Sequence, residues 1–311
     1  MHPPWSMIFF TTLAGMAQGL MLALVGAEVA EALGVTPLPG SLRLAGAAAV
    51  LALGGTGLAA AAFHLGHPLR AWRAAAMWRT SWLSREVIVL PLFLGLTLAW
   101  ALAHVASWPL PLKLGLGLAA AVSAIALYVC TGMIYGAVKA MREWATPMTP
   151  LNFGILGAAS GLLLAATMAA VLAPAFTTAF AMVALSLTIV GAATRGLTAW
   201  RNHHLVPKTT LQSAIGVRHP RIVQTSQGTM APTFNTREFF HGRSAAVVTR
   251  VRWAAAVLGF ALPAAALAAL PPSVALLAPL AVLQWLGLLA ERWMFFAEAR
   301  HPQNLYQQRV G

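Results

Sequence analysis

Charge is what this chain has least of. Only 9% of its 311 residues are Asp, Glu, Lys or Arg, against roughly 25% in a soluble domain. With 59% of its residues hydrophobic, it has too little polar surface to face water on every side. An ordinary soluble globule is excluded, and lipid becomes part of its solvent. Acidic residues are the scarcer sign: 7 Asp and Glu against 20 Lys and Arg, a net charge of +13. That excess does not point to nucleic acid, because the cations sit in gaps between apolar runs, where membrane proteins keep them. Cysteine is nearly absent. Cys130 alone excludes an intramolecular disulfide, a CxxC site and an iron–sulfur cluster held by the chain's own thiolates. Also missing are a P-loop, a Rossmann fingerprint, HExxH and a Gly-x-Ser-x-Gly elbow. The apolar centres hold almost no ionisable groups and no pair of carboxylates, which argues against an ion or proton channel through the midplane.

What is present is a series of apolar runs. A bilayer core needs about 20 apolar residues in a helix. Eight stretches qualify: Trp5 to Ala30, Leu42 to Phe63, Val87 to Val105, Leu112 to Tyr135, Leu151 to Ala173, Ala175 to Ala199, Ala245 to Leu270 and Val274 to Phe296. Between them stand helix-ending prolines at Pro37, Pro39, Pro109, Pro111, Pro147, Pro150, Pro174, Pro271 and Pro272. Only Pro174 separates the fifth and sixth runs, so a tight hairpin is expected there. The start, Met1-His2-Pro3-Pro4-Trp5, has no basic n-region, and the first run reads as a retained helix, not a signal peptide. Gly54, Gly55 and Gly57, with Gly154, Gly157 and Gly161, are read as packing positions where helices approach closely.

The expected fold is therefore all-α: a polytopic membrane bundle of about eight transmembrane helices, forming one membrane domain over 1–311. Eight spans put every Lys and Arg except Arg43 and Lys113 at one side. The positive-inside rule makes that side cytoplasmic, with both termini there. Glu28 and Glu31 fall on the other. Residues 200–245 form a long basic cytoplasmic loop within the domain. It is too long for a simple connector, and its Ile215, Ile222, Phe234, Phe239 and Phe240 make it too apolar for a free linker. It is expected to be ordered against a partner protein.

Chemistry concentrates after the second run: Phe63-His64-Leu65-Gly66-His67-Pro68-Leu69-Arg70, then Trp72, Arg73, Trp78, Trp82, Ser84, Arg85 and Glu86. A histidine at the membrane boundary beside an apolar wall suits a quinone, whose ring carbonyl needs a donor and whose redox step needs a proton exchanger near neutral pH. Glu86 is placed to pass that proton to or from water. Without a ligand, His64 and His67 are simply an interfacial pair, and the tryptophans interfacial anchors. Haem would need two facing histidines at matched depth, and His104 lies at the other end of the bundle from His64 and His67. A transporter would show inverted repeats and a midplane polar site, and neither is seen.

The run FHLGHPLRAWR from Phe63 to Arg73, followed by Ser84-Arg85-Glu86, resembles the anchor-subunit family of dimethyl sulfoxide reductase. So does Thr146-Pro147 before the fifth run. Within that family, Pro207–Gly216, Phe234–Gly242 and Glu291–Tyr306 are similar to the membrane subunits of quinone-dependent sulfite dehydrogenases. The resemblance implies eight helices in a bacterial inner membrane and a three-part complex. In it, a molybdopterin catalytic subunit and a ferredoxin-like iron–sulfur subunit sit on the cytoplasmic side, while the anchor holds no haem, cluster or metal of its own. Electrons from cytoplasmic sulfite oxidation would pass to ubiquinone or menaquinone. The family motif carries the quinone-site histidine onto His64 and its acidic partner onto Glu86. His67, Arg70, Trp82 and Arg85 complete the expected pocket. His67 stands where the family often has a small residue, which leaves open which histidine meets the quinone. The alternatives are an anchor oxidising quinol for a dimethyl sulfoxide reductase-type complex, and a purely structural anchor.

Overall fold

Eight helices in the computed structural model are long and apolar enough to cross a bilayer. They are α1 (Trp5–Ala32), α2 (Gly40–Ala62), α3 (Trp82–Val105), α4 (Leu110–Gly136), α5 (Met148–Leu172), α6 (Pro174–His203), α7 (Ala245–Ala269) and α8 (Val274–Ala297). The structure describes residues 1–63, 65–207, 209–226, 228 and 233–308, and among them there is no strand. The bundle is all-α, as the apolar runs predict. Most boundaries fall within three residues of the expected ones. Two move further: α3 starts five residues early because Ser81 caps it, accepting from the Ser84 amide at 3.3 Å, and α6 runs on to His203. The extension of α6 places Arg201, expected in the long loop, inside a helix, and Arg195 lies within the same helix. Arg250, Arg252 and Arg292 are likewise helical. The hairpin at Pro174 is real: Ala173 alone joins α5 to α6.

The central helix is α1. Of its most apolar stretch 83% is buried, against 28% for α2, α3 and α7. It packs on α2, α4, α5 and α8. The α1–α5 crossing is a small-residue seam, Gly15 and Gly19 against Gly157 and Gly161, the four-residue spacing that lets backbones meet in lipid. A Cβ on Gly19 would lie 2.5 Å from the Gly157 carbonyl oxygen, and one on Gly161 would collide with the backbone of Gly19 and Leu20. Tyr128 of α4 locks the seam by donating to the Gly15 carbonyl at 2.7 Å.

Polar side chains tie the outer helices. Asn152 donates to Thr198 at 3.0 Å (α5–α6), and Gln284 to Thr188 at 3.0 Å (α8–α6). In α7 one π turn, Val257–Ala261, interrupts the α pattern. Pro263 explains it, since its missing N–H and its ring prevent a regular α bond to residue 259.

Both termini lie at one end of the bundle: the Met1 amine donates to the carbonyls of Ala297 at 3.3 Å and Ala299 at 3.0 Å. An aromatic cluster of Tyr135, Trp144, Phe153, Phe295 and Phe296 fills the core there. Trp144 joins it by donating its indole N–H to the Phe295 carbonyl at 2.9 Å. At the other end, Glu31 pairs with Arg43.

Candidate functional site

The motif-bearing segment leaves the end of α2 and returns as α3. His64 lies outside the described residues, so the structure does not place the first of the expected site residues. His67 is exposed and caps a ten-residue 3₁₀ helix, Pro68–Met77. Arg70 is exposed on that helix and makes no side-chain hydrogen bond among the described residues. Most of the arm's described residues are exposed: Phe63 is 89% exposed, Leu69 93% and Trp72 71%. Arginine and tryptophan alternate along it. The guanidiniums of Arg73, Arg79 and Arg85 lie 5.6, 5.5 and 4.2 Å from the ring centroids of Trp72, Trp78 and Trp82.

Trp82 and Arg85, both half-buried, are brought together where the arm enters α3. Arg85 fixes the arm's end by donating from Nε to the Trp78 carbonyl and from Nη2 to the Arg79 carbonyl, each at 2.9 Å. Glu86, one residue on, faces inward. It is 4% exposed and accepts a hydrogen bond from Thr131 of α4. His67 and Arg70 make no hydrogen bond to Trp82, Arg85 or Glu86 among the described residues. The structure thus unites Trp82 with Arg85, sets Glu86 on the adjacent buried face, and holds His67 and Arg70 outward.

The termini end carries a second feature, a cleft of about 1500 Å³. Lys139, Arg142, Arg201, Arg243, Arg252 and Arg300 line it, with His203, His241 and His301, against Glu143 and Glu298. Part of its wall is the long loop. Two five-residue helices, Leu211–Ile215 and Phe234–Glu238, order that loop, and the chain's own ends hold it down. His301 stacks on Phe239 at 3.7 Å between centroids. Asn304 donates to the Phe239 carbonyl at 3.0 Å, and His2 N–H to the Glu238 carbonyl at 2.9 Å. Tyr306 donates to the Ala214 carbonyl at 3.3 Å. The described parts of the loop thus contact the chain's own ends. Burial, and then the charge of the Met1 amine, hold His241 and His301 below the usual histidine range. The Met1 amine itself is lowered to about 6, chiefly by burial, with Glu143 opposing.

Two polar clusters escaped the sequence reading. Far from the termini, Glu28 is 1% exposed and accepts from the Trp100 indole at 2.7 Å, while His104 Nε2 lies 2.7 Å from its other oxygen. Between α6 and α8, Arg195 donates from Nε to Glu291 at 2.5 Å and from Nη2 to Glu298 at 3.3 Å. Arg292, beside Glu291, lies 3.7 Å over the Phe153 ring. The signal for the second cluster was Glu291-Arg292 at the end of an apolar run. Its partner was hidden because Arg195 lies on a different run, and nothing in the sequence sets the sixth run against the eighth.

The sequence matches the profile of the DMSO reductase anchor subunit (DmsC) over residues 1–296. It is also 48% identical to the C subunit of the sulfite dehydrogenase of Allochromatium vinosum, over 325 aligned positions covering all of both chains.

Proposed function

Because the chain belongs to the DMSO reductase anchor-subunit family, we propose that it anchors a cytoplasmic sulfite-oxidising complex and passes its electrons to membrane quinone. The 48% identity, over the full length, to one component of a sulfite dehydrogenase is the observation that carries the reading. The uneven charge supports its orientation: among the described residues, all cations but Arg43 and Lys113 fall toward the termini end, which the positive-inside rule makes cytoplasmic. The basic cleft at that end suits an acidic face of an electron-carrying partner, by charge complementarity. That partner is a ferredoxin-like iron–sulfur subunit, itself fed by a molybdopterin catalytic subunit. With one cysteine the anchor supplies no cluster of its own.

Quinone is taken at the α2–α3 edge. The arm's exposed aromatics offer flat apolar surface at the depth where spanning helices begin. His64 donates to a ring carbonyl. Glu86, buried and held by Thr131, exchanges protons for the site. Trp82 and Arg85 form a rigid wall, and His67 and Arg70 face the water side.

The test is steady-state turnover of the assembled complex. His64→Ala should lose at least tenfold in sulfite:quinone activity while keeping its rate with a soluble artificial acceptor. Equal loss with both acceptors would indicate failed assembly instead, and unchanged quinone turnover would refute the site. A sulfite-inactive complex with full activity on another substrate would refute the substrate assignment alone.

A further inference from the structure

A cavity of about 420 Å³ opens between α6, α7 and α8, within the roughly 300–1,000 Å³ range of small-molecule sites. Small residues make the room: Ala192, Gly196 and Ala199 on α6 face Ala256 and Ala264 on α7. The π turn of α7 contributes Phe260, and such turns recur at functional sites. Ile189, which also lines it, is 53% exposed on a helix long and apolar enough to cross a membrane. The walls are apolar except toward the termini end, where Arg195, Arg252, Glu291 and Glu298 complete them.

That polar end is unusual in two ways. Glu291 is 3% exposed and accepts from Arg195 at 2.5 Å through one oxygen, while the other makes no hydrogen bond and lies 3.7 Å from Arg292 Nη2. A buried carboxylate oxygen without a hydrogen bond is costly. Second, Arg252 and Glu298, 3.5 Å apart, line both this cavity and the basic cleft. One ion pair therefore stands between an apolar chamber at lipid depth and an aqueous cleft.

We infer that the α6–α8 cavity is a second binding site for the ring of an isoprenoid quinone, distinct from the α2–α3 edge. The ligand that fits has flat apolar faces and a polar edge. Its faces pack on alanine, glycine and Phe260, and its carbonyl accepts from the guanidinium edge of Arg195 or Arg252. In reduced form its hydroxyl donates to a glutamate. An acyl chain would leave the ionic end unused, and a soluble anion would leave the apolar walls unused. The inference rests on the reading of the chain as a quinone-linked anchor, but not on the site assigned to His64.

Equilibrium binding of a labelled short-chain ubiquinone to the purified, assembled complex tests it. Wild type should bind two per anchor chain. Filling the cavity with Gly196→Leu and Ala256→Phe should leave one, and His64→Ala should also leave one. A Cβ on Gly196 meets nothing within 4 Å, and Ala256 is exposed, so neither change disturbs packing. Should the filled protein fail to assemble, Ala192→Cys answers instead. Ubiquinone should slow its labelling by a maleimide at least fivefold, and the labelled protein should bind one quinone. Wild-type stoichiometry in the filled variant overturns the inference, as does labelling indifferent to ubiquinone. Loss of a co-purified phospholipid with quinone binding intact overturns it too. If His64→Ala keeps both quinones while the filled variant loses one, the cavity stands and the α2–α3 assignment falls.

Discussion

At the α2–α3 edge the chain presents a recognisable motif on an exposed arm. At the α6–α8 seam it presents a cavity and a buried ion network with no motif. The arm's side chains reach outward, as Leu69 at 93% and Trp72 at 71% exposed show. The seam's side chains turn inward, with Arg195 and Glu291 paired at 2.5 Å. The arm holds its form by local contacts: a proline-started 3₁₀ helix and Arg85 reaching back to Trp78 and Arg79. The seam holds its form by long-range ones. Chemistry written in consecutive residues is therefore found on the arm, and chemistry assembled by packing is found at the seam.

The contrast predicts unequal sensitivity. Arg195→Ala strands Glu291 in the protein interior. Breaking a buried pair from one side costs about 3–5 kcal/mol, to be seen as a large fall in the thermal midpoint in detergent. Arg70→Ala, on the exposed arm, should change stability by no more than about 0.5 kcal/mol. Similar effects for the two would erase the distinction.

Glycines sharpen it next. Gly161→Leu forces a side chain into the α1–α5 crossing and should cost about 1–3 kcal/mol or more, with less folded protein recovered from membranes. Gly66→Leu, in the arm, meets nothing within 4 Å and should leave folding intact.

Arg85→Ala removes two hydrogen bonds from the arm, each worth about 1 kcal/mol. The loss should be local: faster proteolysis between residues 70 and 81 with the global midpoint nearly unmoved.

The smallest effect is one of pH. His241, His301 and the Met1 amine all sit below their ordinary values, so these groups hold fewer protons in the folded chain than in the unfolded one. Their stabilising contribution is complete above the unfolded values, near 8 for the amine and 6.5 for the histidines, and fades as pH falls through the lowered ones. The protection factor of the Phe239 amide, its exchange corrected for the intrinsic pH dependence, should fall between about pH 7.5 and 5.5 and stay flat from about pH 8.5 to 9.5.

Much of this was legible in advance. Eight apolar runs with prolines between them gave the helices, because span length and helix termination are local properties. The cation asymmetry gave the common end of both termini. The motif's Trp82, Arg85 and Glu86 lie together at one helix start, since residues there cannot scatter far. Hidden were the contacts between distant runs. Nothing in the sequence pairs Glu28 with Trp100 and His104, or Arg195 with Glu291 and Glu298. Nor does the sequence say that His301 and Asn304 would meet Phe239 of the long loop.

The central claim is that electrons leave for the membrane through the His64–Glu86 edge of this subunit. Its most direct test is reoxidation of the partner's pre-reduced iron–sulfur clusters by added ubiquinone, followed by rapid mixing in membranes carrying His64→Ala or Glu86→Gln. The account predicts clusters that reduce normally with sulfite and then stay reduced when ubiquinone is added, reoxidising at least tenfold more slowly than wild type. Reoxidation at the wild-type rate in both variants would contradict it.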